Sequence, residues 1–198
     1  MTVTQIIQFP AHDAAATLQA INKAAPEDVI QGTLIQDKST AQAIVEWQGT
    51  SDEIAPDVPS SSSFRIDLAR PALGPKGPAT APVVEYVHTF FPVSKVTPEF
   101  KKKIEDDFVR FNELFLMIGL VGEMGCTMGW SVDEVNYAGI EGEKAVGFVV
   151  IRGWDTMANF EKVMSLDKTR EVLSILFGWG APYKMWHVAR EDGARGSL

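Results

Sequence analysis

The feature that most constrains the fold is an order of elements that recurs on the two sides of one Pro/Gly/Ser-rich segment. The first predicted strand on each side ends in Phe-Pro, at Phe9-Pro10 and again at Phe91-Pro92. Proline has no backbone N–H, so it cannot continue a strand as a donor. Gly32 and Gly129 both stand near the start of the second strand on their side. The chain therefore predicts two related halves joined by a connector.

The first half comprises residues 1–48 together with part of 49–82. Runs of β-branched and aromatic residues predict strands, and the alanine-rich run with apolar residues at helical spacing predicts a helix. These patterns give strands over 3–9, 29–35 and 41–47 and a helix over 14–25. Residues 49–82 form the connector, where alternating Phe64, Ile66 and Leu68 predict one short strand in an otherwise partly extended segment.

The second half, residues 83–190, repeats this order and extends it. Thr97 followed by Pro98 predicts the start of a long helix, and the run AVGFVVI predicts a strand that is covered on both faces. The remaining patterns predict strands over 83–91, 126–137, 144–151 and 183–189, and helices over 157–164 and 167–177. The polar tail over 191–198 is expected to be disordered.

Charge and composition exclude several classes of function. The net charge of −8 disfavours binding to nucleic acid or to an anionic membrane surface. The one cysteine, Cys126, cannot form an internal disulfide, which is consistent with a reducing compartment. The N-terminal residues lack a secretory signal pattern, and the longest apolar run, 115–121, is too short to span a bilayer. We therefore expect a cytoplasmic protein.

The stretch FVVIRGWDTMANFEKVMSL, residues 148–166, resembles the strand-to-helix signature of the dimeric α+β barrel superfamily, in its antibiotic biosynthesis monooxygenase-like and stress-responsive members. In that signature a Trp followed by Asp/Ser and Ser/Thr ends an apolar strand and caps the next helix, here Trp154, Asp155 and Thr156. The resemblance implies an α+β fold in which two ferredoxin-like halves form the barrel within one chain, where relatives usually dimerise. A monomeric pseudo-dimer and a homodimer of tandem chains both remain open.

The resemblance also implies a pocket between sheet and helices, and the aromatic residues favour the second half for it. The residues that we expect to contact a small apolar or aromatic, polyketide-like molecule are Tyr86, Phe111, Phe115, Trp130, Asn136, Phe148, Arg152 and Trp186. A phenylalanine stripe at helical spacing is also typical of plain core packing, and Arg152 is also consistent with a surface ion pair. We expect no metal and no cofactor.

His88 and His187 are the candidate catalytic residues, because a neutral imidazole near pH 7 accepts a proton from a phenol or a carbon acid. They lie on the first and last strands of the second half, which we expect not to be neighbours, so a direct dyad is not expected. Structural, hydrogen-bonded histidines are the alternative. Haem, which some superfamily members bind, would require one of these two as its axial ligand.

The sequence thus predicts a pocket for a small apolar ligand, with cofactor-independent oxygenation, cyclisation or lyase chemistry as the enzymatic hypothesis. It contains no P-loop and no nucleophile elbow. A non-catalytic stress-responsive or ligand-carrying barrel is the competing hypothesis, supported by the absence of a paired acid and base.

Overall fold

A computed structural model describes residues 2–49 and 60–191, which form eight strands and four α-helices. The strands of the first half are β1 (Thr2–Pro10), β2 (Asp28–Leu34), β3 (Thr40–Gln48) and β4 (Ser62–Leu68), with helix α1 (Ala14–Lys23) between β1 and β2. The second half contains β5 (Val83–Pro92), α2 (Pro98–Leu116), β6 (Glu123–Ser131), β7 (Ala145–Trp154), α3 (Met157–Met164), α4 (Asp167–Phe177) and β8 (Tyr183–Arg190).

The eight strands close into one barrel in the order β1-β3-β2-β8-β5-β7-β6-β4. Within the first half the neighbours run β4-β1-β3-β2, and within the second they run β8-β5-β7-β6. Each half is therefore the same antiparallel arrangement with its fourth strand beside its first, as in a ferredoxin-like fold. This confirms the predicted fold class, an α+β barrel made from two ferredoxin-like halves of one chain.

The halves join at two seams, and a glycine lies in each. At the first seam β2 pairs with β8 and Gly32 faces Arg190. At the second seam β4 pairs with β6 and Gly129 faces Leu68. A Cβ on Gly32 would lie 2.3 Å from the carbonyl oxygen of Ala189, and one on Gly129 would lie 2.0 Å from that of Asp67. Both glycines thus permit an approach of two backbones that a side chain would obstruct.

The connector closes one end of the barrel. Ala72, Leu73, Ala79 and Ala81 are buried among the side chains that fill the barrel interior. The buried carboxylate of Glu46 accepts hydrogen bonds from the backbone N–H groups of Ala72 and Leu73, at 3.0 and 3.1 Å. The sequence predicts a partly extended connector, whereas residues 69–82 fold inward and pack as a plug. Residues 50–59 of the predicted connector lie outside the described residues.

Helices cover the outer faces of both sheets. Helix α1 contributes Ile21 to a cluster on the first sheet that includes Phe9 and Trp47. Helix α2 begins at the predicted cap, with the Thr97 hydroxyl accepting the N–H of Phe100, and its stripe of phenylalanines packs on the second sheet. The run AVGFVVI is buried on both faces as predicted, because the barrel core covers one side of β7 and helices cover the other.

The Trp154-Asp155-Thr156 corner forms as the sequence predicts. Thr156 caps α3 by accepting the N–H of Asn159 at 3.2 Å, and Asp155 accepts the side-chain amide of the same asparagine at 2.9 Å. The Trp154 ring is fully buried and lies edge-on to the ring of Phe160. The tryptophan therefore fixes how α3 leaves the sheet.

Two expectations about the second half are wrong. Strand β6 ends at Ser131, not at 137, because residues 132–144 turn away and return only through an isolated bridge of Val135 to Ala145. Strands β5 and β8 are neighbours, paired from Val83 with Ala189 to Thr89 with Tyr183, because the last strand of a ferredoxin-like sheet lies beside its first. The predicted tail beyond Glu191 lies outside the described residues.

Candidate functional site

A cavity of about 170 Å³ lies between the outer face of the second sheet and helices α2 and α4. We call it the helix–sheet cavity. Its floor consists of side chains from β5, β7 and β8, and its roof consists of apolar side chains from the helices. The lining residues are Glu85, Val87, Thr89, Phe108, Phe111, Phe115, Val150, Arg152, Met164, Leu173, Leu176, Phe177, Trp179, Ala181, Tyr183 and Met185.

The alternation of a strand and the period of a helix produce these walls. On β5, Glu85, Val87 and Thr89 point outward to the helices, because successive side chains alternate between the two faces. On α2, Phe108, Phe111 and Phe115 share one face, because residues three and four apart lie one above another. Most of the wall is therefore apolar.

The polar end of the cavity is built around Arg152. Its guanidinium forms an ion pair with Glu123 at 3.0 Å and donates to the amide oxygen of Asn112 at 2.5 Å. The Phe115 ring lies under it, with 4.9 Å between the guanidinium carbon and the ring centroid. With 4% of its side chain exposed, Arg152 is buried and oriented from three sides, so it is not a surface ion pair.

Glu85 is the second polar group at this end. Its Oε2 accepts the indole N–H of Trp154 at 2.9 Å, and the surface that it retains faces the cavity. Burial raises the pKa of the Glu85 carboxyl, and the nearby Arg152 charge and the Trp154 hydrogen bond only partly offset this. Glu85 is consequently a carboxyl group that holds a proton more readily than an exposed one does.

Two other titratable groups on this face of the sheet, Cys126 and His187, are less able to react with a ligand. Burial raises the pKa of the Cys126 thiol to about 11, so it is not a reactive thiolate at neutral pH. His187 is 1% exposed, and its Nδ1 lies 2.9 Å from the amide nitrogen of Gln36. The Gln36 amide oxygen accepts the His187 backbone N–H, so the amide nitrogen is the donor to Nδ1. The ring proton of His187 is therefore assigned to Nε2.

A second cavity, of about 210 Å³, opens at the end of the barrel opposite the connector plug. We call it the barrel-mouth cavity. It lies on the inner face of the sheet, with β5 supplying His88 and Phe90 between the outward-facing positions of the helix–sheet cavity. Its lining residues are Gln8, Ser62, Ser63, Phe64, His88, Phe90, Val135, Asn136, Tyr137, Lys184 and Trp186.

The structure divides the predicted site residues between these two cavities and the core. Phe111, Phe115 and Arg152 line the helix–sheet cavity, whereas His88, Asn136 and Trp186 line the barrel-mouth cavity. The other predicted residues lie in the core: Tyr86 stacks on Trp186 inside the barrel, Trp130 and Phe148 pack under α2, and His187 packs against Phe160. The two histidines lie on opposite faces of neighbouring strands, so they do not form a dyad.

Several lining residues were missed by sequence reasoning. Glu85 carried a usable signal, because it is a lone carboxylate within the otherwise apolar run VVEYV. Leu173 and Leu176 on α4 carried a weaker one, since their spacing places them on one helix face. That these leucines face the phenylalanines of α2 depends on how α4 packs against α2, and no local sequence pattern predicts that packing.

The arrangement of the polar side chains also bears on metal and haem binding. No group of three or more His, Cys, Asp or Glu side chains that could hold a metal occurs within residues 2–49 and 60–191. The imidazole ligand expected for a haem is absent from the helix–sheet cavity, because neither His88 nor His187 lines it. In the described part of the chain, no helix combines the length and apolarity needed to cross a membrane.

The sequence matches no protein family model and no curated protein, but its fold is shared with solved structures. One of a major regulator of staphylococcal pathogenesis aligns with a TM-score of 0.58 and 11% identity, over 96% of this chain and 100% of that one. A monooxygenase-like protein from Listeria innocua gives 0.50 and 13%, over 95% and 94%. A mutant chlorite dismutase from Candidatus Nitrospira defluvii gives 0.52 and 10%, over 94% and 90%. At these identities the likeness establishes the fold.

Proposed function

We propose that the helix–sheet cavity binds one small, mostly apolar molecule whose single polar group faces Glu85 and Arg152. The observation that carries the proposal is a partly enclosed apolar space with two polar side chains at one end, the buried Arg152 and the half-buried Glu85. Ligand sites typically combine apolar walls with a few polar groups that set orientation. The wall of this cavity contains the half-buried carboxyl group of Glu85, which an ordinary apolar core does not require.

The size of the cavity narrows the ligand. An engineered apolar cavity of about 150 Å³ in another protein holds a benzene molecule, and the helix–sheet cavity has about 170 Å³. We therefore propose a ligand with one aromatic ring. A polyketide-like molecule of several fused rings requires α4 to move outward first.

The polar end favours a hydroxyl group on that ring. One Glu85 oxygen accepts the Trp154 N–H, which leaves the other oxygen for the ligand. Arg152 already donates to Glu123 and Asn112, so it serves mainly as a fixed positive charge beside the ligand. A phenol that donates to Glu85 satisfies the buried carboxyl group without adding an uncompensated charge.

The enzymatic form of the proposal is cofactor-independent oxygenation, cyclisation or lyase chemistry on this ligand. In the helix–sheet cavity Glu85 is the group placed to accept a proton from a phenol or a carbon acid, because Nδ1 of His187 already accepts from Gln36. The catalytic roles predicted for His88 and His187 remain proposals that the same assays test. A carrier that binds without turnover is the second candidate. It is supported by the cavity wall, which holds one carboxyl group, Glu85, and no histidine to form an acid–base pair with it.

Calorimetric titration with phenol and indole tests the binding proposal. We expect Leu173→Trp, which fills the cavity from α4, to abolish saturable binding, and Val109→Trp, on an exposed position of α2, to leave it unchanged. If the parent protein does not bind either compound, or if the Leu173→Trp variant binds them as tightly, the proposal is wrong.

Turnover separates the enzyme from the carrier. Oxygen consumption and product mass are measured for a panel of phenols and anthrones, with the parent protein, Glu85→Gln, His88→Ala and His187→Ala. Turnover that is lost in Glu85→Gln supports the enzymatic form. Binding without any turnover across the panel supports the carrier.

We also infer that the two halves arose by tandem duplication. The equal strand order of the halves supports this, as do the Phe-Pro ends of β1 and β5 and the seam glycines Gly32 and Gly129. The described part of the first half has one α-helix where the second half has three. The helix–sheet cavity is therefore proposed as a specialisation of the second half.

A further inference from the structure

The barrel-mouth cavity is lined by a continuous row of rings. The ring centroids of Phe64 and His88 lie 4.6 Å apart, those of His88 and Phe90 lie 4.1 Å apart, and those of Phe90 and Tyr137 lie 3.9 Å apart. The Phe90 and Tyr137 rings are nearly parallel, at 10°. With interplanar angles of 10° to 31°, the rings stack on one another, so a planar molecule extends the row by stacking on its end ring.

The charge in this cavity has one sign. Lys184 is the one charged residue among the lining residues, and its ammonium lies 5.5 Å from the centroid of the Tyr137 ring. Within the described parts of the chain, no carboxylate lies within 4.0 Å of the Lys184 ammonium. A cation facing a partly enclosed polar space without a carboxylate favours an anion.

The imidazole of His88 adds a second polar feature. His88 is 5% exposed, and its Nε2 is buried with no hydrogen-bond partner among the described residues. The ring lies against Gly147, where a Cβ would be 1.8 Å from Nε2. Burial, and secondarily the Lys184 charge, lower the pKa of His88 to about 3, so the ring is neutral and contributes no further charge.

We propose that the barrel-mouth cavity is a second binding site, which takes a small planar anion, an aromatic carboxylate in particular. The ring of such a ligand stacks on the aromatic row, and its carboxylate meets the Lys184 ammonium at the rim. The hydroxyls of Ser62 and Tyr137 and the amide of Asn136 surround the same rim. The site is independent of the helix–sheet cavity, because the two open on opposite faces of β5.

Fluorine NMR titration of the full-length protein with 4-fluorobenzoate tests this site, with 4-fluorobenzyl alcohol as the neutral control. We expect saturable binding of the carboxylate and at least tenfold weaker binding of the alcohol, since hydrogen bonds to charged groups are stronger than neutral ones. Lys184→Met should weaken carboxylate binding about tenfold, and Lys184→Arg should retain most of it. Lys168→Met, at an exposed position on α4, is the matched control and should change nothing.

The cavity-filling variant Leu173→Trp distinguishes this site from the proposed phenol site. The inference predicts that 4-fluorobenzoate binds Leu173→Trp as it binds the parent protein, whether or not phenol binding is lost. If the parent shows no saturable binding at millimolar concentrations, or Lys184→Met binds as the parent does, the inference is wrong. Loss of carboxylate binding in Leu173→Trp would place the carboxylate in the helix–sheet cavity and would also overturn it.

Discussion

Burial acts in opposite directions on His88, His187 and Glu85, three of the titratable side chains on the β5 and β8 pair. It lowers the pKa of His88 to about 3 and that of His187 to about 4, because an imidazole is charged when protonated. It raises the pKa of Glu85, because a carboxyl group is charged when deprotonated. All three are therefore kept neutral over a wider range of pH than in water.

The histidines predict a loss of stability in acid. Below the ordinary imidazole pKa of 6.5, both histidines become protonated in the unfolded chain. In the folded chain they stay neutral until the pH approaches their lowered pKa values, about 3 for His88 and about 4 for His187. The free energy of unfolding should therefore fall as the pH drops from 6.5 towards 4, by about 1.4 kcal/mol per pH unit for each histidine. Urea unfolding at pH 7, 6, 5 and 4 measures this slope.

His88→Phe should reduce this slope to that of one histidine, because the ring keeps its aromatic packing and loses its titration. His12→Gln is the control, since the His12 side chain is 81% exposed. An unchanged slope in His88→Phe would mean that His88 takes up protons in the folded protein.

Glu85 predicts an effect with the opposite sign. Its folded pKa is raised, so between the unfolded value and that raised value the folded chain binds more protons, and stability falls as the pH rises. Glu85→Gln removes this loss of stability, because the amide does not ionise, and its oxygen can still accept the Trp154 N–H. We expect the variant to unfold at an equal or higher urea concentration at pH 8 and to bind phenol more weakly.

Glu113→Gln, at an exposed position of α2, controls for the change in net charge. A Glu85→Gln variant that is less stable than the parent at pH 8 would show that the ionised carboxylate is stabilised by Arg152 more than burial penalises it.

At the scale of elements, α4 is the least anchored wall of the helix–sheet cavity. Thr169 is its one buried residue, held by a 2.7 Å hydrogen bond from its hydroxyl to the Val163 carbonyl oxygen. Its C-terminal end presents Phe177, which is 59% exposed and contacts Tyr183. Elements with few buried contacts open locally at low free energy. We therefore propose that a ligand enters where the rings of Phe177 and Tyr183 meet, with their centroids 6.5 Å apart.

Hydrogen exchange should detect this entrance. The backbone amides of α4 are expected to exchange faster than those of α2 in the free protein, and saturating phenol should slow α4 several-fold while leaving α1 unchanged. Equal exchange in α2 and α4, or ligand protection confined to α1, would contradict this assignment.

Local patterns predicted most elements because each helix and strand carries its own signals. Thr97 and Thr156 marked the starts of α2 and α3, and proline marked the ends of β1 and β5. The plug formed by Leu73 and its neighbours could not be predicted, because it depends on Glu46, which is distant in the chain. The sequence predicts one pocket where the structure has two cavities. Neighbouring strand residues such as Glu85 and Tyr86 point to opposite faces of the sheet, and the sequence does not show which face each one takes.

At the scale of the whole molecule, the barrel depends on two seams with a glycine in each. The Gly32 seam joins the halves with three paired positions and so does the Gly129 seam, far fewer than the ten between β5 and β7. The seams are therefore the weakest junctions of the barrel, and close backbone approach compensates for their short length.

Gly32→Ala and Gly129→Ala should each destabilise the protein by about 1–3 kcal/mol, because the added methyl group displaces a backbone carbonyl. Gly178→Ala is the matched control, since its Cβ keeps 3.2 Å from the nearest atom and should cost little. Thermal unfolding of the three variants measures the difference. Equal midpoints for all three would mean that the seams accommodate a side chain.

The Gln36 amide, which lies between β2 and β3, binds both the ring and the backbone of His187 on β8. The N-terminal third of the chain thereby holds in place a strand that supplies Tyr183 and Met185 to the floor of the ligand space. Excising residues 83–191 to obtain a minimal binding module would keep the pairing of that strand with β5 but would remove its pairing with β2 and both contacts of Gln36 with His187. Recognition by the C-terminal half is thus a property of the uncut polypeptide.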